Sequence, residues 1–208
     1  FTKWLAEQAE ALEVEIYPGF SASEVLFNEK DKVIGVATCD MGRLKNGTEG
    51  PNFEQGIELH ATQTIFSEGC RGHLGKILME KFNLNAENSP QTYGIGIKEL
   101  WEVAPENNQP GSIMHTTGWP LKTDTYGGSF LYHLDNNKIS IGFVIGLDYK
   151  NPYLSPYMEF QRFKHHPEIK KILEGGRRIN YGARALNEGG IQSLPKLTFP
   201  GGMLTGCE

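Results

Sequence analysis

The run GGSFLYHLDNNKISIGFVIGL, residues 127–147, constrains this chain more than any other stretch. SFLYHL and ISIGFVIGL are aromatic and β-branched, which favours strands over helices. DNNK between them supplies a turn, so the segment reads as an antiparallel hairpin. Ile139–Leu147 is the longest apolar run. It is broken by glycine, fits a buried strand, and falls well short of the ~20 apolar residues that span a bilayer. What precedes Phe130 works against the strand it opens. Gly127 and Gly128 add backbone freedom and leave nothing to pack.

Around that hairpin the pattern alternates between strands and short helices. Trp4, Leu5, Ala9 and Leu12 trace one face of a helix, followed by VEIYPGF, a strand broken at Pro18-Gly19. SEVLF and VIGVATC, separated by NEKDK, read as a first hairpin. Met41–Gly56, rich in Gly, Asn and charge, reads as an exposed loop. GIELHATQTIFSEGC holds two strands, and HLGKILMEKFNL is a helix whose Leu74, Ile77, Leu78 and Phe82 form a buried stripe. Longer strands follow from about Tyr93: GIGIKELWEV, a run containing Trp119, and the central hairpin. Ser155-Pro156 caps and starts the helix YMEFQRFK; Pro167 starts EIKKILEGG, closed by glycine. The chain ends in a strand that runs into a glycine turn. The expected architecture is α+β in two modules. Because both ends fall on unfinished elements, the chain is expected to be a piece of a longer protein.

Composition narrows the function. A net charge of −5 over 208 residues, with no basic cluster, argues against a nucleic-acid partner. Three scattered cysteines without a CxxC lend no support to a zinc ribbon or a dithiol motif, argue against a disulfide framework, and are expected to be buried reduced thiols. The histidines show no ligand spacing. GxSxG, HExxH and GxGxxG are absent. Tyr181, Arg184 and Glu188 in NYGARALNEGG could position a partner, but the reading favoured here is a charged turn.

Three places suit a ligand. In TIFSEGCRG a strand reaches Glu68 and Gly69 before a helix, where N–H groups can face an anion; an ordinary turn fits equally. In GGMLTGCE, Gly206 lets a cofactor approach the main chain, and a structural β-turn does as well. Gly127 and Gly128, beside Tyr126 and Phe130, would bare main-chain groups in an apolar wall suited to a flat, weakly polar ligand, though a β-bulge or tight turn would also use them. His133 shares a strand face with Ser129 and Leu131, and sequence does not say which face meets a ligand.

Six long segments carry a family resemblance: WLAEQAEALEVEIYPGF, IELHATQTIFSEGCRGHL, TYGIGIKELWEV, TYGGSFLYHL, GLDYKNPYLSPYMEFQRFKHHP and YGARALNEGGIQSLPKLTFPGG. In this order, over nearly the whole chain, they resemble the electron-transfer-flavoprotein:ubiquinone oxidoreductases. The resemblance implies part of an FAD-binding, glutathione-reductase-like domain (1–95 and 196–208) with an inserted sheet-plus-helix ubiquinone-binding domain (96–195). It also implies an oxidoreductase that carries FAD and a 4Fe–4S cluster and passes electrons from electron-transfer flavoprotein to ubiquinone. That enzyme serves the respiratory chain in fatty acid and amino acid oxidation. It is peripheral to the matrix side of the mitochondrial inner membrane, or to the bacterial cytoplasmic membrane.

By the same resemblance, Gly127 and Gly128 contact the quinone, while Glu68, Gly69 and Gly206 line the flavin. The glycine-rich dinucleotide fold and the four cluster cysteines are missing here, so the isolated chain is expected to be inactive. No catalytic residue or proton donor is assigned. A related FAD-dependent reductase or hydroxylase, or a non-catalytic binding module, are the alternative readings.

Overall fold

A computed structural model describes residues 1–207. Its packing divides into two units, residues 1–84 with 196–206, and residues 85–195 with Cys207.

The first unit opens with α1 (Thr2–Ala11). Next come the antiparallel pair β1 (Ala22–Phe27) and β2 (Val33–Thr38) and the small hairpin β3 (Met41–Arg43) and β4 (Glu49–Glu54). β5 (Glu58–His60) extends the first pair, giving the order β1-β2-β5. β6 (Thr64–Phe66) then leads to α2 (His73–Lys81).

Four expectations fail. Val14–Phe20 forms no strand, because no neighbour offers it a ladder. Met41–Gly56 is a hairpin rather than a loop: Asp40 pairs with Arg43, whose guanidinium also lies over Phe53. On α2, Leu74 and Leu78 are buried, but Ile77 is 43% exposed; the stripe is narrower than its apolar residues suggest. Phe82 stacks on Phe199 with centroids 5.0 Å apart, closing a core of Val33, Phe66, Leu74, Leu78, Leu84 and Leu204. The thiols are not the buried set expected. Cys39 and Cys207 are exposed and Cys70 half-buried, since the first two lie past the ends of strands.

The second unit is built on one antiparallel sheet. Its strands are β7 (Tyr93–Glu102), β8 (Ile113–Thr117), β9 (Gly127–Leu134), β10 (Lys138–Gly146) and β11 (Arg177–Asn187), in the order β11-β7-β10-β9-β8. The β9–β10 turn places Asn136 and Asn137 at φ 56°, a conformation that asparagine tolerates better than most residues. β8 stops before Trp119, which lies in a turn. β11 is the largest miss, an eleven-residue strand where a charged turn was expected. Ile139, Ile141, Phe143 and Ile145 are buried, while Ser140 and Val144 between them are not, so one face of the sheet carries the core.

α3 (Pro156–Lys164) and α4 (Pro167–Leu173) supply that face with Phe160, Phe163, Ile169 and Leu173. The Ser155 hydroxyl caps α3 by accepting from the Met158 N–H. Glu99, on the same face, is 2% exposed and still charged. Burial opposes its ionisation. Hydrogen bonds from Lys164 (2.8 Å) and Trp101 (2.8 Å), with Arg178 at 3.2 Å, outweigh it and hold the carboxyl below its ordinary value.

The two remaining strands, β12 (Thr198–Phe199) and β13 (Gly202–Leu204), return to the first unit. There β13 pairs antiparallel with β12 and parallel with β6.

Candidate functional site

The face of the five-stranded sheet opposite α3 and α4 is unusually bare. Cross-strand partners share a face, so the register aligns its side chains in rows. One row reads Arg184, Gly96, Val144, Gly128, Thr117; the next reads Gly182, Lys98, Gly142, Phe130, His115. A third brings Leu186, Gly94 and Gly146 together. Six glycines (94, 96, 128, 142, 146 and 182) from four strands thus leave a floor with few side chains.

That floor is shaped by what lies on it. A Cβ at Gly142 would come within 2.3 Å of the Phe130 ring, so the outer part of the ring lies over the glycine backbone. A Cβ at Gly94 would meet the Glu188 carboxylate at 2.5 Å, and one at Gly146 would meet Asp148 Oδ1 at 3.0 Å. At Gly182 a Cβ would touch nothing.

A cleft of about 370 Å³ opens here, lined by His115, Thr117, Tyr126, Gly127, Gly128, Phe130, Val144, Leu186 and Glu188. It lies at the small end of the ligand-pocket range. Most of its wall is apolar or aromatic, with a few polar groups at the rim.

The two glycines of the quoted run do different jobs. They continue β9 in unbroken register, so neither a bulge nor a tight turn accounts for them. Gly127 lies on the core side. A Cβ there would sit 2.5 Å from Leu121 Cδ1 and 2.5 Å from the Val144 carbonyl. Gly128 lies on the bare side, where a Cβ would meet the Thr116 carbonyl at 2.5 Å. The sheet's own packing therefore demands both glycines, apart from any ligand.

Their main chains also diverge. The Tyr126 carbonyl accepts from the Gly146 N–H, and His133 exchanges bonds with Gly111 and Ser112. Alternation along an antiparallel strand then directs Gly128 toward β10 and Gly127 toward β8. On that side β8 ends at Thr117, opposite Gly128.

Two side chains change standing. His133 lies on the core face, where burial lowers its basicity; its Nδ1 accepts from the Gln109 N–H at 3.1 Å, so it does not face the cleft. Glu188, read from sequence as part of a turn, follows β11 and lines the cleft. Its carboxyl is pushed up, first by burial and then by Asp148. No local signal marks it, because the strand that carries it pairs with a segment some eighty residues earlier.

In the first unit, Glu68 and Gly69 follow β6 and Gly206 follows β13, at the carboxyl ends of neighbouring parallel strands. Such edges are where nucleotides sit in open α/β sheets. Gly69 has φ 84° and Gly206 φ 80°; a Cβ at Gly206 would meet only Ser67 Oγ, at 3.7 Å, so the main chain there is approachable. The N-terminus of α2 is a different case. The Glu68 carboxylate accepts from the N–H groups of His73, Leu74 and Gly75 at 3.0, 2.9 and 2.8 Å, filling the seat an external anion would take. Among the described residues no cluster of three or more His, Cys, Asp or Glu is placed to hold a metal ion, and no helix is long and apolar enough to cross a membrane.

Comparison with known proteins adds kinship to this geometry. Residues 93–186 match the family model described as ETF-QO, ubiquinone-binding. The chain is 62% identical over 207 residues to the mitochondrial electron transfer flavoprotein-ubiquinone oxidoreductases of Sus scrofa and Homo sapiens. To that of Dictyostelium discoideum it is 58% identical over 205 residues. In each case 99% of this chain is covered but only 34% of the relative, so the chain spans about a third of the length of the curated relatives it matches. Among solved structures it resembles the flavin-dependent brominase Bmp2 (TM-score 0.56, 16% identity, 98% of this chain and 46% of that one). The halogenase PltM is also similar (TM-score 0.53, 12% identity, 97% and 37%). These likenesses place the fold among mixed α/β architectures found in flavoenzymes.

Proposed function

We propose that the glycine-floored cleft seats a quinone ring, a reading supported by the match of residues 93–186 to the family model described as ETF-QO, ubiquinone-binding. The observation that carries this is the bare sheet face: an apolar cleft of ligand size, walled by Phe130 and Val144, with Gly127 and Gly128 at its floor and edge. A planar ring lies against Gly128 because no side chain lifts it off. The main chain of Gly127, at the end of β8, is placed to hydrogen-bond a quinone oxygen. Burial of the ring supplies most of the affinity, and the polar rim orients it.

In this reading the chain is the quinone-binding part, with a portion of the flavin-binding part, of an oxidoreductase. That enzyme takes electrons from reduced electron-transfer flavoprotein and gives them to ubiquinone. Residues 85–195 are then an insertion in a flavin-binding domain, and Glu68, Gly69 and Gly206 lie along the cofactor. Gly206 fits a main-chain contact, whereas Glu68 supports the cofactor edge indirectly by holding α2. FAD, when bound, supplies the electrons. The chain's own residues position the acceptor. For a 4Fe–4S cluster the described residues offer no ligand set, so no step here depends on one. Peripheral attachment to the matrix face of the mitochondrial inner membrane fits the membrane-borne acceptor and the mitochondrial relatives. Turnover belongs to the larger protein.

The test is equilibrium titration with a short-tailed ubiquinone, followed by the fluorescence of Trp119. Saturable quenching that a tail-only alcohol does not reproduce is expected. Absence of saturation would overturn the assignment.

A further inference from the structure

Reducing a quinone to a quinol consumes two protons, and the cleft has one carboxyl suited to deliver one. Glu188 lines the cleft directly. Its carboxylate lies across the Gly94 backbone, occupying the volume a Cβ there would need, at 2.5–2.8 Å. Its own N–H donates to the Thr92 carbonyl at 2.8 Å, which fixes the backbone that carries it. On the adjoining strand Gly146, the register partner of Gly94, has Asp148 beside it. Paired positions in an antiparallel ladder are on the order of 5 Å apart. The two glycines thus bring two carboxylates together at one end of an apolar cleft.

Resting on the quinone reading above, we propose that Glu188 is the acid that protonates one oxygen of the quinone held over Gly128. As two electrons arrive from the reduced flavin, the Glu188 O–H bond breaks and a new O–H forms on the quinone oxygen. The second oxygen takes its proton from water at the open side of the cleft. The Glu188 carboxylate is then reloaded from water, so that quinone, two electrons and two protons become quinol and the enzyme is restored.

The surroundings favour an acid over a permanent anion. Burial pushes the carboxyl up, and the negative charge of Asp148 pushes it further. A carboxyl that stays protonated closer to neutrality can act as a general acid. The other titratable or charged groups on this side are Tyr126, which lies against Gly146, His115 across the cleft on β8, Arg184 and Lys98 farther along the floor, and Tyr132, Lys138 and Glu102 beyond them. His115 is the rival donor across the cleft. It pairs with the Tyr132 hydroxyl, at 3.4 Å, and stands opposite Phe130, at the far end of the cleft from Gly94.

The experiment compares the intact protein with Glu188→Gln, Glu188→Asp, Asp148→Asn and His115→Gln. Short-tailed ubiquinone is first bound at equilibrium. Wild type and Glu188→Gln should bind within a few-fold of each other; failure of wild type to bind sinks the quinone reading itself. Infrared titration of the ligand-free protein then follows the carboxyl C=O band. Wild type should show a carboxyl titrating above the ordinary glutamate range, absent in Glu188→Gln and shifted down in Asp148→Asn. Last comes single-turnover quinone reduction across pH. Wild type should slow as pH rises through that titration. Glu188→Gln should lose about 100-fold together with this limb, Glu188→Asp should recover part of the rate, and His115→Gln, whatever its rate, should keep the limb. Normal quinone binding with an unchanged rate and pH profile in Glu188→Gln overturns the assignment, as does transfer of the pH limb to His115→Gln.

Discussion

Gly142 and Phe130 give the sharpest test of how the cleft is built. They are register partners on β10 and β9, and the Phe130 ring occupies the space above Gly142. A methyl group added by Gly142→Ala would lie 2.3 Å from two ring carbons and 3.1 Å from a third. Ordinary contact begins near 3.4 Å, so the ring has to move by about 1 Å or swing away. Neither β9 nor β10 can yield easily, since both lie inside the sheet. Overpacking of this kind costs about 1–3 kcal/mol.

With the ring removed the obstacle vanishes. In a Phe130→Ala background, Gly142→Ala should be neutral or stabilising by about 0.5 kcal/mol, because alanine loses less backbone freedom than glycine on folding. The coupling between the two changes is therefore about 2 kcal/mol, with the double variant more stable than the sum of the singles. Urea unfolding of wild type, both singles and the double, followed through Trp101 of the same sheet, measures it. Additivity within about 0.5 kcal/mol would refute the claim that the ring lies on the glycine.

Other consequences follow from the same geometry. Gly182→Ala on the same bare face has an open site and should leave stability unchanged or raise it by about 0.5 kcal/mol, read from the denaturation midpoint. Glu99→Gln leaves half-buried Lys164 without its counter-charge and should cost about 3 kcal/mol. Glu99 is held below its ordinary value in the fold, so its stabilisation is complete above the unfolded value and is lost as pH falls through the folded one; the Gln variant should lack that acid-side loss in a pH series of unfolding curves. Glu68→Ala strips the acceptor from three N–H groups of α2 and should lower stability by about 1–2 kcal/mol with no cofactor added.

What sequence could say about this fold depends on how local the determinant is. The β9–β10 hairpin is legible because two apolar runs and an asparagine turn lie side by side in the chain. The α3 start is legible because serine and proline sit where a cap and first turn want them. β11 was not. NYGARALN alternates weakly, with Gly182 and Arg184 on one face and two alanines on the other, and looks like a turn until β7, far away in sequence, supplies its ladder. The β3–β4 hairpin failed for a related reason, since polar residues forming an exposed ribbon resemble a loop.

The site divides in the same way. Gly127 and Gly128 stand out in the sequence, yet the sheet packing that requires them could not be read there. The other glycines of the floor come from separate strands and mean nothing until the register aligns them. Glu188 belongs with these: its importance is a matter of what the third row brings near it. Expecting Glu68 to leave an anion seat at α2 overlooked that its own carboxylate reaches the helix N-terminus.

The central claim is that a flat ring rests on the bare face beside Val144, whose side chain lines the cleft next to Gly128. Calorimetric binding of a short-tailed ubiquinone to wild type and to Val144→Phe measures this most directly. The larger side chain should fill the cleft and weaken binding at least tenfold while the unfolding midpoint stays within a few degrees. Equal affinity in a folded Val144→Phe protein would contradict it.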